Sequence, residues 1–356
     1  MSSGTYWWIS WRSSADASIR RGRKANGWMR LRQRLSSRGV KVNKITNRIE
    51  RSLGMPGLVT TLARRISPTD LQSLLLEVYR QRAAEKTPSD VLAQYERDRF
   101  VQPSPVSPAL ITRWDQIAYQ TLPREFDAIT ISPLSPLGTS SVVASVDQNW
   151  AVSTSRNTEV DSDSTNALAL ECAVRRRRLL EVDPRSQSPV HLATAHRLVR
   201  AQHYQDPSMS SHFTAFVLCS AGRDQGHFEF ETTSIKSQIR FFLQAIREYA
   251  AQDVPLIVTF TDYGRALSQD DLQGFLLNEI PEGIGGIECR MDNKASMGKS
   301  YYTGFKYHID AVVDSGVEME LVEGGSVDWT QKYLSNAKER LVIGGLGVDR
   351  LAQHFG

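Results

Sequence analysis

Two short stretches of the chain open with the same local signal. Ser67-Pro68-Thr69-Asp70 offers an N-cap serine, a proline at the first helical position and an acid at the third. Leu71, Leu74, Leu75 and Val78 then recur on one helical face. Thr87-Pro88-Ser89-Asp90 repeats the signal before Val91, Leu92 and Tyr95. The pattern predicts a hairpin of capped amphipathic helices packing on something larger, followed by a linker punctuated by Pro103, Pro105 and Pro108. Beyond this point the periods mix. Helical spacing predicts helices at 109–121, 165–182, 234–251 and 268–279, and β-branched runs predict strands at 141–154, 213–220, 254–261, 300–313 and 317–323. Strands that follow one another without a helix between each pair point to an α+β fold with a mostly antiparallel sheet flanked by helices. Three segments result: an arm at 1–45, a helical module with its Pro-rich linker at 46–108, and a core at 109–356.

Charge sharpens this division. Residues 1–51 hold 13 Lys and Arg against Asp16 and Glu50, a net of +11, whereas the remainder carries a net of −7. The arm mixes Arg20, Arg21, Arg23 and Lys24 with Trp7, Trp8, Trp11 and Trp28. Cations that release phosphate counterions, and indoles that stack on unpaired bases, make the arm a candidate contact for tRNA or other RNA. Its composition otherwise predicts an exposed, flexible tail.

Other classes are disfavoured. No apolar run reaches the roughly 18 residues of a membrane span, so no membrane association is expected and the cytoplasm is the expected compartment. Cys172, Cys219 and Cys289 lie in no CxxC setting and read as buried small residues, and the seven histidines show no metal-ligand spacing. No GxGxxG or GxxxxGK[ST] sequence occurs. The run Arg175–Arg178 reads as the solvated end of a helix.

Four segments, in order, carry a resemblance. Gly344-Gly345-Leu346-Gly347-Val348-Asp349-Arg350-Leu351 runs through glycines into an arginine-bearing helix. Glu323-Gly324-Gly325-Ser326-Val327-Asp328 and Ser300-Tyr301-Tyr302-Thr303-Gly304 precede it, and Val199-Arg200-Ala201-Gln202 lies further upstream, ahead of Ser211-His212-Phe213. Together they resemble the motifs of class II aminoacyl-tRNA synthetases, most closely the histidyl branch, over about residues 109–356. The first of these segments is similar to motif 3 and the last to motif 2. Ile129–Pro133 is similar to the dimer-forming motif 1, and Ser155–Glu159 to the family's LRPE element. The resemblance implies an ATP site with Mg2+, formed by Arg200, Gln202, Phe213, Gly345, Gly347 and Arg350. Arg200 and Arg350 would be the catalytic phosphate ligands, with Arg197 an alternative register for the first. It implies a substrate pocket of Glu159, Ala215, Cys219, Tyr301, Tyr302, Gly324 and Gly325, and a homodimer formed through the core.

The departures qualify the implied activity. Ala215 and Cys219 stand where the histidyl branch reads histidine with Gln and Glu, Met297 stands for an Arg, and Gln202 replaces a Glu. On this resemblance the usual C-terminal anticodon-binding domain is expected to be lacking, because the segment similar to motif 3 lies just before Gly356. The expectation is therefore a synthetase-like paralogue that binds ATP or an adenylate and activates a small carboxylic acid other than histidine. The alternatives are a non-catalytic regulatory or scaffold subunit, or an RNA-binding protein working through its arm.

Overall fold

The structure is a computed structural model and describes residues 44–202, 210–251, 253–263, 274–275, 279–280, 285–292, 301–313 and 316–356. Most of the predicted helix at 268–279 and most of the arm, as well as Met297 and Ser300, lie outside the described residues. Two compact units emerge. The described residues up to Asp90, with Ser155–Asn157, form one; Val91–Thr154 and Thr158–Gly356 form the other.

The first unit contains α1 (Lys44–Leu53), α2 (Leu58–Arg64) and α3 (Pro68–Ala84), and α4 (Pro88–Arg97) begins in it. Both predicted helix starts form: Ser67 Oγ accepts from Asp70 N at 3.1 Å, and Thr87 Oγ1 from Asp90 N at 3.2 Å. In each case the aspartate answers the cap, Asp90 accepting from Thr87 N at 2.9 Å. None of the four helices buries a residue fully. Leu74, Val78, Val91, Leu92 and Tyr95 remain exposed.

The second unit is built on an eight-stranded sheet. After α5 (Pro108–Thr121) come β1 (Phe126–Ala128), β2 (Leu134–Pro136), the single turn α6 (Thr139–Val142) and β3 (Thr158–Val160). Then follow α7 (Ser164–Val182), β4 (Val190–Val199), β5 (His212–Arg223), α8 (Glu229–Ala250), β6 (Leu256–Asp262) and β7 (Ile287–Met291). Finally β8 (Phe305–Val313), β9 (Val317–Val327), α9 (Trp329–Leu334), β10 (Glu339–Gly347) and α10 (Val348–Phe355) complete the chain. The strands lie in the order β1-β4-β5-β10-β9-β8-β6-β7, antiparallel except for the outer pairs β1–β4 and β6–β7. This is the α+β arrangement that the strand succession predicts.

Two local expectations fail for physical reasons. The β-branched run at 141–154 forms no strand: Gly138, at φ +91°, opens the turn α6, and Val143, Ala144 and Val146 drop into the core as a loop. Conversely β4, with Ala193, Ala195, His191 and His196, has weak strand propensity and is held by full pairing with β5.

Each sheet face has its own core. Phe216, Leu218, Tyr307 and Leu346 face α8 and α5, beside Trp114, Phe242 and Tyr249. Val217, Cys219, Ile343 and Val327 face α7 and α9, beside Leu168, Cys172 and Trp329. The Arg175–Arg178 run is not simply solvated. Arg176 is fully buried, and its guanidinium grips the Glu339 carboxylate at 2.8 and 2.9 Å.

Candidate functional site

Strand register assembles one polar stretch on the face that carries α7. Across β4, β5, β10, β9, β8 and β6, the aligned residues Thr194, Val217, Gly345, Glu323, His308 and Thr259 share that face. The next row holds Leu192, Cys219, Ile343, Gly325, Lys306 and Thr261. Alternation sends Thr214, Phe216, Gly324, Gly344 and Tyr307 to the other face. A side chain on Gly324 would strike the Tyr307 ring at 2.4 Å and the Ile343 carbonyl at 2.5 Å, so that glycine serves strand packing. A Cβ on Gly325 would come within 2.7 Å of Tyr302, placing that ring over the α7 face.

Arg200 follows β4 and closes the hairpin, its amide donating to the Ser211 carbonyl at 2.8 Å. Its side chain is buried on the α7 face, 5.3 Å above the Phe213 ring. Nε donates to Ser162 O at 3.0 Å and Nη2 lies 4.0 Å from Asp163 Oδ2. Arg197, the alternative register, takes the opposite face. It donates to Thr214 Oγ1 at 3.2 Å and approaches Asp349 at 3.6 Å. Arg350 stands in the first turn of α10, directly after β10. Since Val199 pairs with His212 and Gly347 with Ala215, Arg200 and Arg350 leave the same end of the strands flanking β5.

The centre of the arrangement is Asp163, which the sequence reading did not single out. It caps α7, with Oδ1 accepting from Thr165 N at 3.0 Å and Thr165 Oγ1 at 2.7 Å. Oδ2 accepts from the Tyr301 hydroxyl at 3.0 Å. Tyr301 in turn packs edge-on against Tyr302 and Trp329, at 4.9 and 5.2 Å between ring centroids. Burial first, then the Asp163 charge for Tyr301 and the Glu323 charge for Tyr302, hold both hydroxyls well above their ordinary pKa, and Tyr301 donates as a neutral hydroxyl. The signal for Asp163 was an N-cap acid two residues before a threonine at the start of a predicted helix.

Glu159, assigned by resemblance to a substrate ammonium, is committed elsewhere. Its fully buried carboxylate accepts from Gly138 N, Ser140 N and Gln148 Nε2 at 2.9, 3.1 and 2.7 Å. Ala215 and Cys219 sit on the α7 face as the register requires, but both are fully buried. The Cys219 thiol donates to Thr165 O at 3.7 Å, so α7 itself fills the space above it. Gln202 lies in the loop after Arg200, its carbonyl accepting from Arg99 Nη2 at 2.9 Å. Arg99 also donates to Ala201 O and Ser211 Oγ, pinning both ends of that loop.

Electrostatics concentrate on the same face. Lys306 and Glu323 form a buried pair at 3.1 Å, and burial pushes Glu323 up to about 7 despite it. Asp161 is likewise pushed up to about 7 by burial, 3.7 Å from His196. Among the described residues no three of His, Cys, Asp or Glu come together in a way that could hold a metal ion. No described helix is long and apolar enough to cross a membrane.

No family model matches the chain, and no curated protein matches it. Solved structures do. An apo histidyl-tRNA synthetase from S. aureus superposes with a TM-score of 0.50 at 12% identity, over 70% of this chain and 68% of that one. An ATP phosphoribosyltransferase regulatory subunit/histidyl-tRNA synthetase from Bacillus halodurans superposes with a TM-score of 0.50 at 15% identity, over 71% of this chain and 82% of that one. At such identity the likeness speaks for the fold. Over about 70% of its length the chain has the fold of these class II synthetase-like structures.

Proposed function

We propose that the chain is a synthetase-like paralogue that binds ATP or an acyl-adenylate on the α7 face of its sheet and does not charge tRNA with histidine. The observation that carries this reading is the placement of Arg200. It is a buried guanidinium on that face, beside Asp163, at the sheet end where β10 delivers Arg350. Arg200 would meet the α-phosphate, where charge develops as an adenylate forms, and Arg350 the terminal phosphate. Gly345 and Gly347 would let the nucleotide approach the backbone of β10. Any Mg2+ would be held mainly by the nucleotide's own phosphates, with one or two carboxylates at most.

In this reading histidine is not the substrate. Ala215 and Cys219 provide no strong acceptor for an imidazole, and each unmade hydrogen bond costs about 1–3 kcal/mol. A calorimetric titration with ATP and an acyl-adenylate analogue tests the reading. Binding that is lost in Arg350→Ala supports it, and the absence of any binding overturns it.

A second reading, a non-catalytic regulatory or scaffold subunit, is favoured by a separate observation. Arg200 already engages Ser162 and Asp163, and α7 fills the space over Ala215 and Cys219. Exchange of pyrophosphate into ATP with any acid supports the enzyme; ATP binding without exchange supports the subunit. Within either reading we propose a core at 109–356 that forms a homodimer, a basic arm at 1–45 that contacts RNA, and a cytoplasmic location.

A further inference from the structure

One short segment supports both proposed phosphate ligands. Residues 98–104 leave the end of α4 as a tight turn, with Phe100 N donating to Asp98 Oδ1 at 3.0 Å and Val101 N to Asp98 O at 3.1 Å. Pro103 and Pro105 then stiffen the path. Val106 anchors its far end in the core beside α5 and α8, its amide donating to Ser104 Oγ at 3.2 Å. The segment belongs wholly to the second unit.

Its first half holds the hairpin that carries Arg200. Arg99 stacks on the Phe100 ring, 4.4 Å from guanidinium carbon to ring centroid, which orients its planar fork. Nη2 donates to Ala201 O and Gln202 O at 3.1 and 2.9 Å, and Nη1 to Ser211 Oγ at 2.9 Å. One rigid group thus bridges the two chain ends where Arg200 N meets Ser211 O. Gln102 O adds a tie to β5, accepting from His212 Nε2 at 2.6 Å. The second half reaches the residue beside Arg350. Ser104 Oγ donates to Asp349 Oδ1 at 3.0 Å, and Asp349 Oδ2 accepts from Thr214 N at 2.7 Å. Asp349 is buried in the first turn of α10, so these bonds fix the point from which Arg350 starts.

We infer that residues 98–104 form a positioning strap: Arg99 holds Arg200, and Ser104, acting through Asp349, holds Arg350, so that both guanidiniums keep one arrangement. The inference rests on the nucleotide site proposed above and deepens it. It names residues that act through the phosphate ligands without touching the nucleotide. Donors that stabilise developing phosphate charge work when already in place, and a misplacement of about 1 Å can cost roughly 100-fold. Hydrogen bonds from a supporting layer are what hold such donors still. Here one segment supplies them to both.

The test separates the two phosphate ligands. ATP and AMP binding are measured by calorimetry on the full chain, and amide hydrogen exchange is followed without ligand. Ser104→Ala should weaken ATP at least fivefold and leave AMP unchanged, because Arg350 meets only the terminal phosphate. Arg99→Gln should weaken both at least fivefold, and Arg99→Lys should recover part of the loss. Exchange should rise at the Arg200 amide in Arg99→Gln and at the Thr214 amide in Ser104→Ala. Should Arg99→Gln fail to fold, Ser104→Ala decides alone through the difference between ATP and AMP. ATP and AMP weakened alike by Ser104→Ala, or neither weakened, overturns the inference, as does unchanged exchange. A wild-type chain that binds neither nucleotide sinks the nucleotide reading. The strap then stands if exchange rises at both amides and falls if it does not.

Discussion

Arg176 of α7 and Glu339 of β10 form a two-pronged ion pair with both side chains fully buried, 163 residues apart in sequence. Two further donations go to Ser186 O and Ser188 O. The pair ties the helix covering the α7 face to the glycine-bearing strand beneath it. Removing one partner strands a charge in the core, whereas removing both can be nearly neutral. Glu339→Ala therefore lowers unfolding free energy in urea by about 3–5 kcal/mol. Arg176→Met with Glu339→Leu costs less than Glu339→Ala alone, and a double change costing more would refute this account.

Asp163 joins a helix cap to the Arg200 side of the site. Asp163→Ala loses the α7 cap, about 1 kcal/mol, and leaves the buried Tyr301 hydroxyl unpaired for about 1–3 kcal/mol more. Asp163→Asn keeps one carbonyl oxygen for the cap, turns an amide N–H toward the Tyr301 hydroxyl, which can accept it, and removes the charge facing Arg200. Near-wild-type melting for Asn with altered ATP affinity assigns Asp163 to the site. Unaltered ATP affinity in both variants leaves it a structural cap.

Acidity should stabilise this protein over a defined range. Burial raises the folded-state pKa of Asp161 and Glu323 to about 7 and of Glu320 to about 8. The folded chain then holds more protons than the unfolded chain between about pH 4 and 8, so stability is full below that window and falls as pH rises through it. Melting temperature is expected to be lower at pH 8.5 than at pH 5.5. Glu320→Gln with Glu323→Gln should flatten the slope, and an unchanged slope would place the linkage elsewhere.

Gly324 is fixed by space. Its missing Cβ leaves room for Tyr307 and for the Ile343 carbonyl, which is backbone and cannot rotate away. Gly324→Ala should cost about 1–3 kcal/mol by overpacking, read as a shifted denaturant midpoint at constant m-value. A midpoint within error of wild type would show that β9 and β10 part more readily than their pairing suggests.

The arm is tested by salt. With 13 cations and two anions, residues 1–51 should supply most of any affinity for tRNA or single-stranded RNA, falling steeply as salt rises. A chain beginning at Leu53 should bind weakly and melt within a few degrees of the full chain. Equal tRNA binding by the shortened chain would move recognition to the core.

Local rules made much of this legible in sequence. Caps at Ser67 and Thr87 and the apolar periods of α5, α7 and α8 are short-range physics, readable because a helix satisfies its own backbone. The glycine-bearing ends of β9 and β10, with the Tyr301-Tyr302 pair, carried the fold resemblance. Tertiary structure decided the rest, because strands take their partners from afar. Only the register of β4 against β5 puts Arg200 on the α7 face and Arg197 on the other. Only the packing of α7 turns Arg176 inward, fills the space over Cys219 and brings Asp163 beneath Tyr301. Glu159 read as a ligand because its sequence neighbourhood cannot reveal the three donors that fold onto it. Sequence sets which residues form helices and which carry charge; long-range pairing sets which charges face one another.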